Sequence, residues 1–145
     1  MKQGILLIAG LLMTSLVMAQ MPDDIVGVWL NQDKDAHIEI SQKGDKYFGK
    51  IIWLKYPNED DGTPKVDDQN PDETLRNRPI KGLVIVEDLV WDVYDDEWDD
   101  GTIYDPKSGN TYSCYATIKE KDVLSLRGYV GFSIIGRTNT WTRVK

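Results

Sequence analysis

Past residue 20 the apolar positions of this chain recur with a period of two. Ala36, Ile38 and Ile40 alternate with His37, Glu39 and Ser41, and Tyr112, Cys114, Ala116 and Ile118 alternate with Thr111, Ser113, Tyr115 and Thr117. Successive side chains leave opposite faces of a pleated backbone, so such runs mark strands with one dry and one wet face. Val, Ile, Thr, Tyr and Trp fill the runs, and Gly, Asp, Asn and Pro separate them. The pattern predicts eight strands, over 25–31, 36–43, 46–54, 82–87, 98–105, 110–119, 122–130 and 137–144. Lys43-Gly44-Asp45 and Glu120-Lys121 read as tight hairpins, and the segment from Asp105 to Gly109 has Pro and Gly where a turn needs them. A meander of this kind hides its edges by closing. The expected fold is therefore all-β: a single eight-stranded antiparallel up-and-down barrel.

Two segments interrupt the rhythm. A long acidic insertion, 55–78, precedes the fourth strand and holds one helix signal. Asn70 is placed as its N-cap and Pro71 as its first residue, with Asp72 and Glu73 favoured by the helix dipole. A turn or two then runs to about Asn77, before Pro79. A connection of this length is either a lid or binding loop, or a plug over one barrel end. The second segment, 88–97, carries Leu89, Val90 and Trp91 ahead of an acidic run, and reads equally as strand or as rim.

The N-terminus has a different character. Met1-Lys2 opens it, an apolar stretch runs from Gly4 to Met18, and Val17-Met18-Ala19 supplies a peptidase site. This is the three-part form of a secretory signal peptide. It is short beside the roughly 20 apolar residues of a membrane span. The expected division is a cleaved leader, 1–19, and one β-barrel domain, 20–145, exported to the periplasm or the exterior.

Without Lys2, 16 basic residues face 24 acidic ones, a net charge of −8. That balance opposes sequence-independent nucleic-acid binding, which needs cations to neutralise phosphates, and opposes docking on anionic lipid. Cys114 is the sole cysteine, so no internal disulfide forms and the domain rests on packing.

Candidate chemistry is sparse. His37 is the sole histidine and stands on a wet strand face, whereas Cys114 stands on an apolar one, which opposes a Cys–His pair. One His and one Cys do not make a zinc site, and no cofactor is expected. The acidic clusters 59–62 and 95–100 lack the ligand spacing of a calcium loop and read as solvated loops. No pair of carboxylates is placed across a cleft, so no catalytic residue is named.

Aromatic and arginine positions say more. Gly27-Val28-Trp29 lies on the first strand and Trp141-Thr142-Arg143 on the last, which become neighbours in a closed barrel. A Gly-x-Trp opening with a late Arg resembles the calycin superfamily of lipocalins, fatty-acid-binding proteins and avidins. The resemblance implies a structural role for Gly27, Trp29, Trp141 and Arg143 at one barrel end. Over nearly the whole mature chain, Asn70-Pro71-Asp72, Leu75-Arg76-Asn77-Arg78-Pro79-Ile80, Ile103-Tyr104-Asp105-Pro106, Arg127-Gly128-Tyr129 and the closing Trp141-x-Arg143 resemble the secreted bacterial family known as domain of unknown function 2147. Gly27-x-Trp29-x-Asn31-Gln32 is similar to the first strand of avidins, which makes Trp29 and Asn31 candidate ligand contacts. The contexts of Trp91, Trp98 and Trp141 do not match and set biotin aside. Arg127-Gly128-Tyr129 is similar to the Arg-x-Tyr with which fatty-acid-binding proteins hold a carboxylate, so Arg127 and Tyr129 are candidates for an anionic head, provided Leu124 and Leu126 do not claim the interior.

The expected function is an exported cell-envelope binding protein holding a small, amphipathic, partly apolar ligand in its barrel. The rivals are an envelope protein-interaction domain with a filled barrel and, third, a hydrolase.

Overall fold

In the computed structural model, which describes residues 19–132 and 135–145, the alternating runs become eight strands. They are β1 Gly27–Leu30, β2 Ala36–Lys43, β3 Lys46–Leu54, β4 Val84–Asp92, β5 Glu97–Asp105, β6 Asn110–Glu120, β7 Val123–Tyr129 and β8 Gly136–Arg143. Each pairs antiparallel with the next and β1 returns to β8, giving the closed up-and-down barrel that the pattern predicts. The expected leader falls on residues outside the described ones, apart from Ala19. No described helix is long and apolar enough to cross a membrane.

Strand parity puts the apolar sets inside. Ile38 faces Ile51 across β2 and β3, and Ala116 faces Leu126 across β6 and β7. β4 runs five residues beyond its expected end and forms a long hairpin with β5, so 88–92 is strand and not rim. The alternation there is disguised by Asp88, which has φ +60° and lies at an irregularity of the β3–β4 ladder.

The two barrel ends differ. At one, a single 3-10 turn, Pro22–Ile25, lies across the opening. The Trp29 and Trp98 indoles donate to the carbonyls of Ile25 and Pro22, each at 2.9 Å, and the Tyr47 hydroxyl donates to Asp23 at 3.1 Å. Trp29, Tyr47 and Trp98, which reach this turn, are fully or almost fully buried, as are Leu89, Cys114 and Leu124 of the same core. Side-chain burial of that kind contributes on the order of 1.5–3 kcal/mol per large residue.

The opposite end gathers the loops 31–35, 55–83 and 106–109, together with residues 130–132 and 135. The long loop is a strap and not a plug. Its bridges Asn58↔Pro64 and Val66↔Pro79 fold it on itself. Its middle is clamped to the barrel at Asp67, which is completely buried. The Asp67 carboxylate accepts from Tyr104 Oη–H at 2.6 Å, Asn70 Nδ2–H at 2.8 Å and Arg78 Nε–H at 3.0 Å. The strap also meets the β5–β6 turn, where Gly109 has φ +74° and a Cβ would stand 2.0 Å from the Gln69 carbonyl oxygen. Only glycine fits there.

The expected helix shrinks to one 3-10 turn, Glu73–Leu75, and Asn70 is not its cap. Asp72 takes that role, accepting from the Thr74 N–H at 3.0 Å. Asn70 is instead buried, bridging Asp67 to the Asp72 N–H at 2.8 Å. The segment past Arg76 pairs back along the strap instead of continuing the helix: the Asp67 N–H donates to the Arg78 carbonyl and the Ile80 N–H to the Lys65 carbonyl, each at 3.0 Å.

Candidate functional site

The loop-bearing end is hollow. A cavity of about 870 Å³ opens there, with Ile38, Ile51, Ile85, Ile103, Leu126 and Trp141 in its walls and floor. β2 and β3 supply the first two, β4 and β5 the next two, and β7 and β8 the last two; all but Ile85 follow the period-two pattern, and Ile85 adjoins Val86 at an irregularity of the β3–β4 ladder. Trp141 is the boundary residue: it is nearly buried among the core and also forms the cavity floor. Tyr56, Lys65 and Ile80 bring both arms of the strap to the mouth.

The mouth is polar and mostly self-satisfied. Asn31 lines it, but its carboxamide accepts from the N–H groups of Asp35 and Ala36 at 2.9 and 3.0 Å and donates to the Asp35 carboxylate at 2.7 Å. Asn31 therefore shapes the 31–35 turn with all its polar atoms engaged. Lys107 lies 3.4 Å from Asp33 and 3.5 Å from Asp35. Burial pulls the Lys107 pKa down, but the two carboxylates outweigh it and leave it raised.

Of three further candidates, two stand away from the cavity and one borders its mouth. Trp29 is fully buried at the sealed end, with its face covered by Arg143, and does not border the cavity. Arg127 alternates with Leu126, whose side chain takes the interior. Its guanidinium lies on the outer face and donates to Thr138 Oγ1 at 3.0 Å. Tyr129 borders the mouth, yet its ring sits 6.3 Å from Tyr115, the outward-facing partner of Arg127. Arg127 and Tyr129 thus do not jointly reach a ligand inside the barrel. The leucines win the interior because burying them removes apolar surface from water, while burying a guanidinium has no compensating partner there.

Sequence reasoning missed Asp67, Tyr104, Tyr112 and Asn139. Burial pushes the Asp67 carboxyl up, but bonds from Tyr104, Asn70 and Arg78 overcome this and hold its pKa below the usual range. Burial and then the bond to Asp67 push Tyr104 up to about 12. A lone Asp among 24 acidic residues carries no local signal of burial. Tyr112 and Asn139 were findable from strand parity, since both share a face with buried neighbours.

The nucleophile candidates stay apart. His37 stacks on Trp53, with centroids 4.4 Å apart, on the outer face of β2 and β3. Cys114 is fully buried on β6, and burial pushes its thiol up to about 12, where thiolate is scarce. Among the described residues no group of three or more His, Cys, Asp or Glu side chains is arranged to hold a metal ion.

A closed eight-stranded barrel with one sealed end and one hollow end defines a lipocalin-like protein. The chain belongs to the family described as uncharacterized protein conserved in bacteria (DUF2147), whose model matches residues 27–143. It is also similar to a solved structure, protein HP1028 from the human pathogen Helicobacter pylori, described as belonging to the lipocalin family. That likeness has 26% identity and a TM-score of 0.70, covering 83% of this chain and 82% of the other. No curated protein matches the chain.

Proposed function

We propose that this chain is an exported bacterial envelope protein that holds one small, partly apolar molecule in the open half of its barrel. The observation that carries the reading is the cavity of about 870 Å³, walled by aliphatic side chains and floored by Trp141. Small-molecule sites span roughly 300–1,000 Å³ and are mostly apolar with a few placed polar groups. The lipocalin-like relative supports the class, and the leader-like N-terminus supports export. A barrel filled by its own side chains, the requirement of the interaction-domain alternative, is met at the sealed end only.

Two measurements test the reading. Protein isolated from its bacterial host should begin at Gln20 by intact mass, and a precursor retaining Lys2 in the envelope fraction counts against export. The same preparation, extracted under denaturing conditions, should release a small apolar molecule near one equivalent. Affinity near micromolar, about −8 kcal/mol, is expected on rebinding. An Ile38→Trp variant that folds, fills the cavity and still carries the full equivalent places the molecule elsewhere.

A further inference from the structure

By period two, Arg137 and Asn139 share the inward face of β8 with Trp141, and all three line the cavity. Arg137 is paired in register with Gly128, whose missing side chain leaves space on the inner wall. A Cβ at Gly128 would stand 3.5 Å from the Tyr112 Cβ, so Tyr112 borders the same gap from the other side. Arg137 and Tyr112 therefore flank a bare stretch of wall near the mouth, with Asn139 one inward position deeper.

Several charges around the mouth already have partners in the protein. Lys107 is held by Asp33 and Asp35, and Lys65 lies 6.0 Å over the Tyr56 ring. Asp105 turns back into its own loop, accepting from the Lys107 N–H at 3.0 Å and the Ser108 hydroxyl at 2.8 Å. Arg137 has no ion pair or side-chain hydrogen bond among the described residues, and neither have the Tyr112 hydroxyl and the Asn139 carboxamide. An unmatched guanidinium with two neutral donors beside it, above an aliphatic pocket, has the complementary chemistry of an oxyanion on an apolar tail.

We infer that the cavity selects amphipathic anions, with Arg137 receiving the oxyanion head, Tyr112 and Asn139 donating beside it, and the tail lying against the aliphatic walls. This rests on the ligand-holding reading and specifies its ligand class. Carboxylate and phosphate heads share this chemistry, so the test carries both.

The mature protein is titrated with dodecanoate, dodecyl phosphate and dodecanol, following intrinsic tryptophan fluorescence and calorimetry at low salt. At least one anion should bind about tenfold or more tighter than the alcohol, the scale of one charge-assisted hydrogen bond. Arg137→Gln, at an exposed position, should abolish that preference and leave alcohol binding intact. Tyr112→Phe should lose part of it, and Arg127→Gln on the outer face should leave it unchanged. Equal binding of anion and alcohol by the wild type, or a preference that survives Arg137→Gln, overturns the inference while the cavity reading stands. Failure of all three probes to bind, with the cavity free of endogenous ligand, overturns both.

Discussion

The Arg143 guanidinium carbon lies 4.2 Å from the centre of the Trp29 ring, and the two residues are register partners across the β1–β8 seam. The same guanidinium donates to Asp122 at 3.0 Å, to the Val26 carbonyl at 2.9 Å and to the Asp24 carbonyl at 2.6 Å. Gly27 makes the space: with φ +139°, its Cβ would stand 2.5 Å from Arg143 Nη1. One side chain thus ties together β1, β8, the β6–β7 turn and the N-terminal turn.

Trp29→Ala should cost about 3–5 kcal/mol, as large aromatic truncations in cores do. Arg143→Ala should cost roughly 1–3 kcal/mol, from lost stacking and two carbonyls left without their donor. Denaturant titration measures both. Costs below about 0.5 kcal/mol, the surface range, would mean that the seam is held by other contacts.

Asp67→Asn should destabilise by roughly 2–3 kcal/mol. Arg78 retains water on its exposed side, so the loss stays below that of a fully buried pair. The native carboxyl has a lowered pKa. Its stabilisation is therefore present above the unfolded value of about 3.9 and is lost as pH falls through the lower folded value. Denaturant titrations across pH should show a constant wild-type advantage above about pH 5 that shrinks below about pH 4. An advantage that persists unchanged in acid would show that the carboxylate charge is not what anchors the strap.

Limited proteolysis should cut first within 59–64, which is exposed throughout, and not near Asp67 or Asn70, which are buried. Fragment masses decide this. For the same reason Asn70→Ala should cost about 1–3 kcal/mol through its two buried-side bonds, whereas Asp72→Ala, at an exposed cap, should cost below about 1 kcal/mol.

Gly128→Leu should fold and weaken ligand binding by about tenfold or more. An added Cβ meets neighbours at ordinary distances of 3.4 Å and beyond, while the rest of the side chain occupies the gap between Tyr112 and Arg137. Thermal melting and calorimetry together check it. Unchanged affinity would place the bound molecule away from this wall.

Strand identity was legible because its cause is local: Ala36-x-Ile38-x-Ile40 shows its dry face directly. The closed end was legible through Gly27, Trp29 and Arg143, whose types suit a close approach and a stack. What escaped depends on distant partners. Asp88, with φ +60°, breaks the alternation of β4 and makes a strand look like a rim. Asn70 precedes Pro71 and Asp72 as a cap would, yet its side chain turns to Asp67, a choice that only the packed strap dictates. Arg127 and Tyr129 had the right types, but strand parity turns Arg127 to the outer face and leaves Tyr129 only at the rim. A single register step separates them from the wall that Gly128 leaves open, and Leu126 decides that step.

The sealed end concentrates its anchoring on the 22–25 turn, with Trp29, Tyr47, Trp98 and Arg143 reaching it from four different strands. None of the four lines the cavity, although Trp29 is the register partner of the wall residue Ile38. Substitutions at this end should then act additively with those at wall positions remote from it, and not with those at Ile38. Those remote wall positions behave as interchangeable modules on a fixed chassis. New pocket shapes can be installed at Ile103 or Gly128 by redesign or by evolution without renegotiating how the molecule folds.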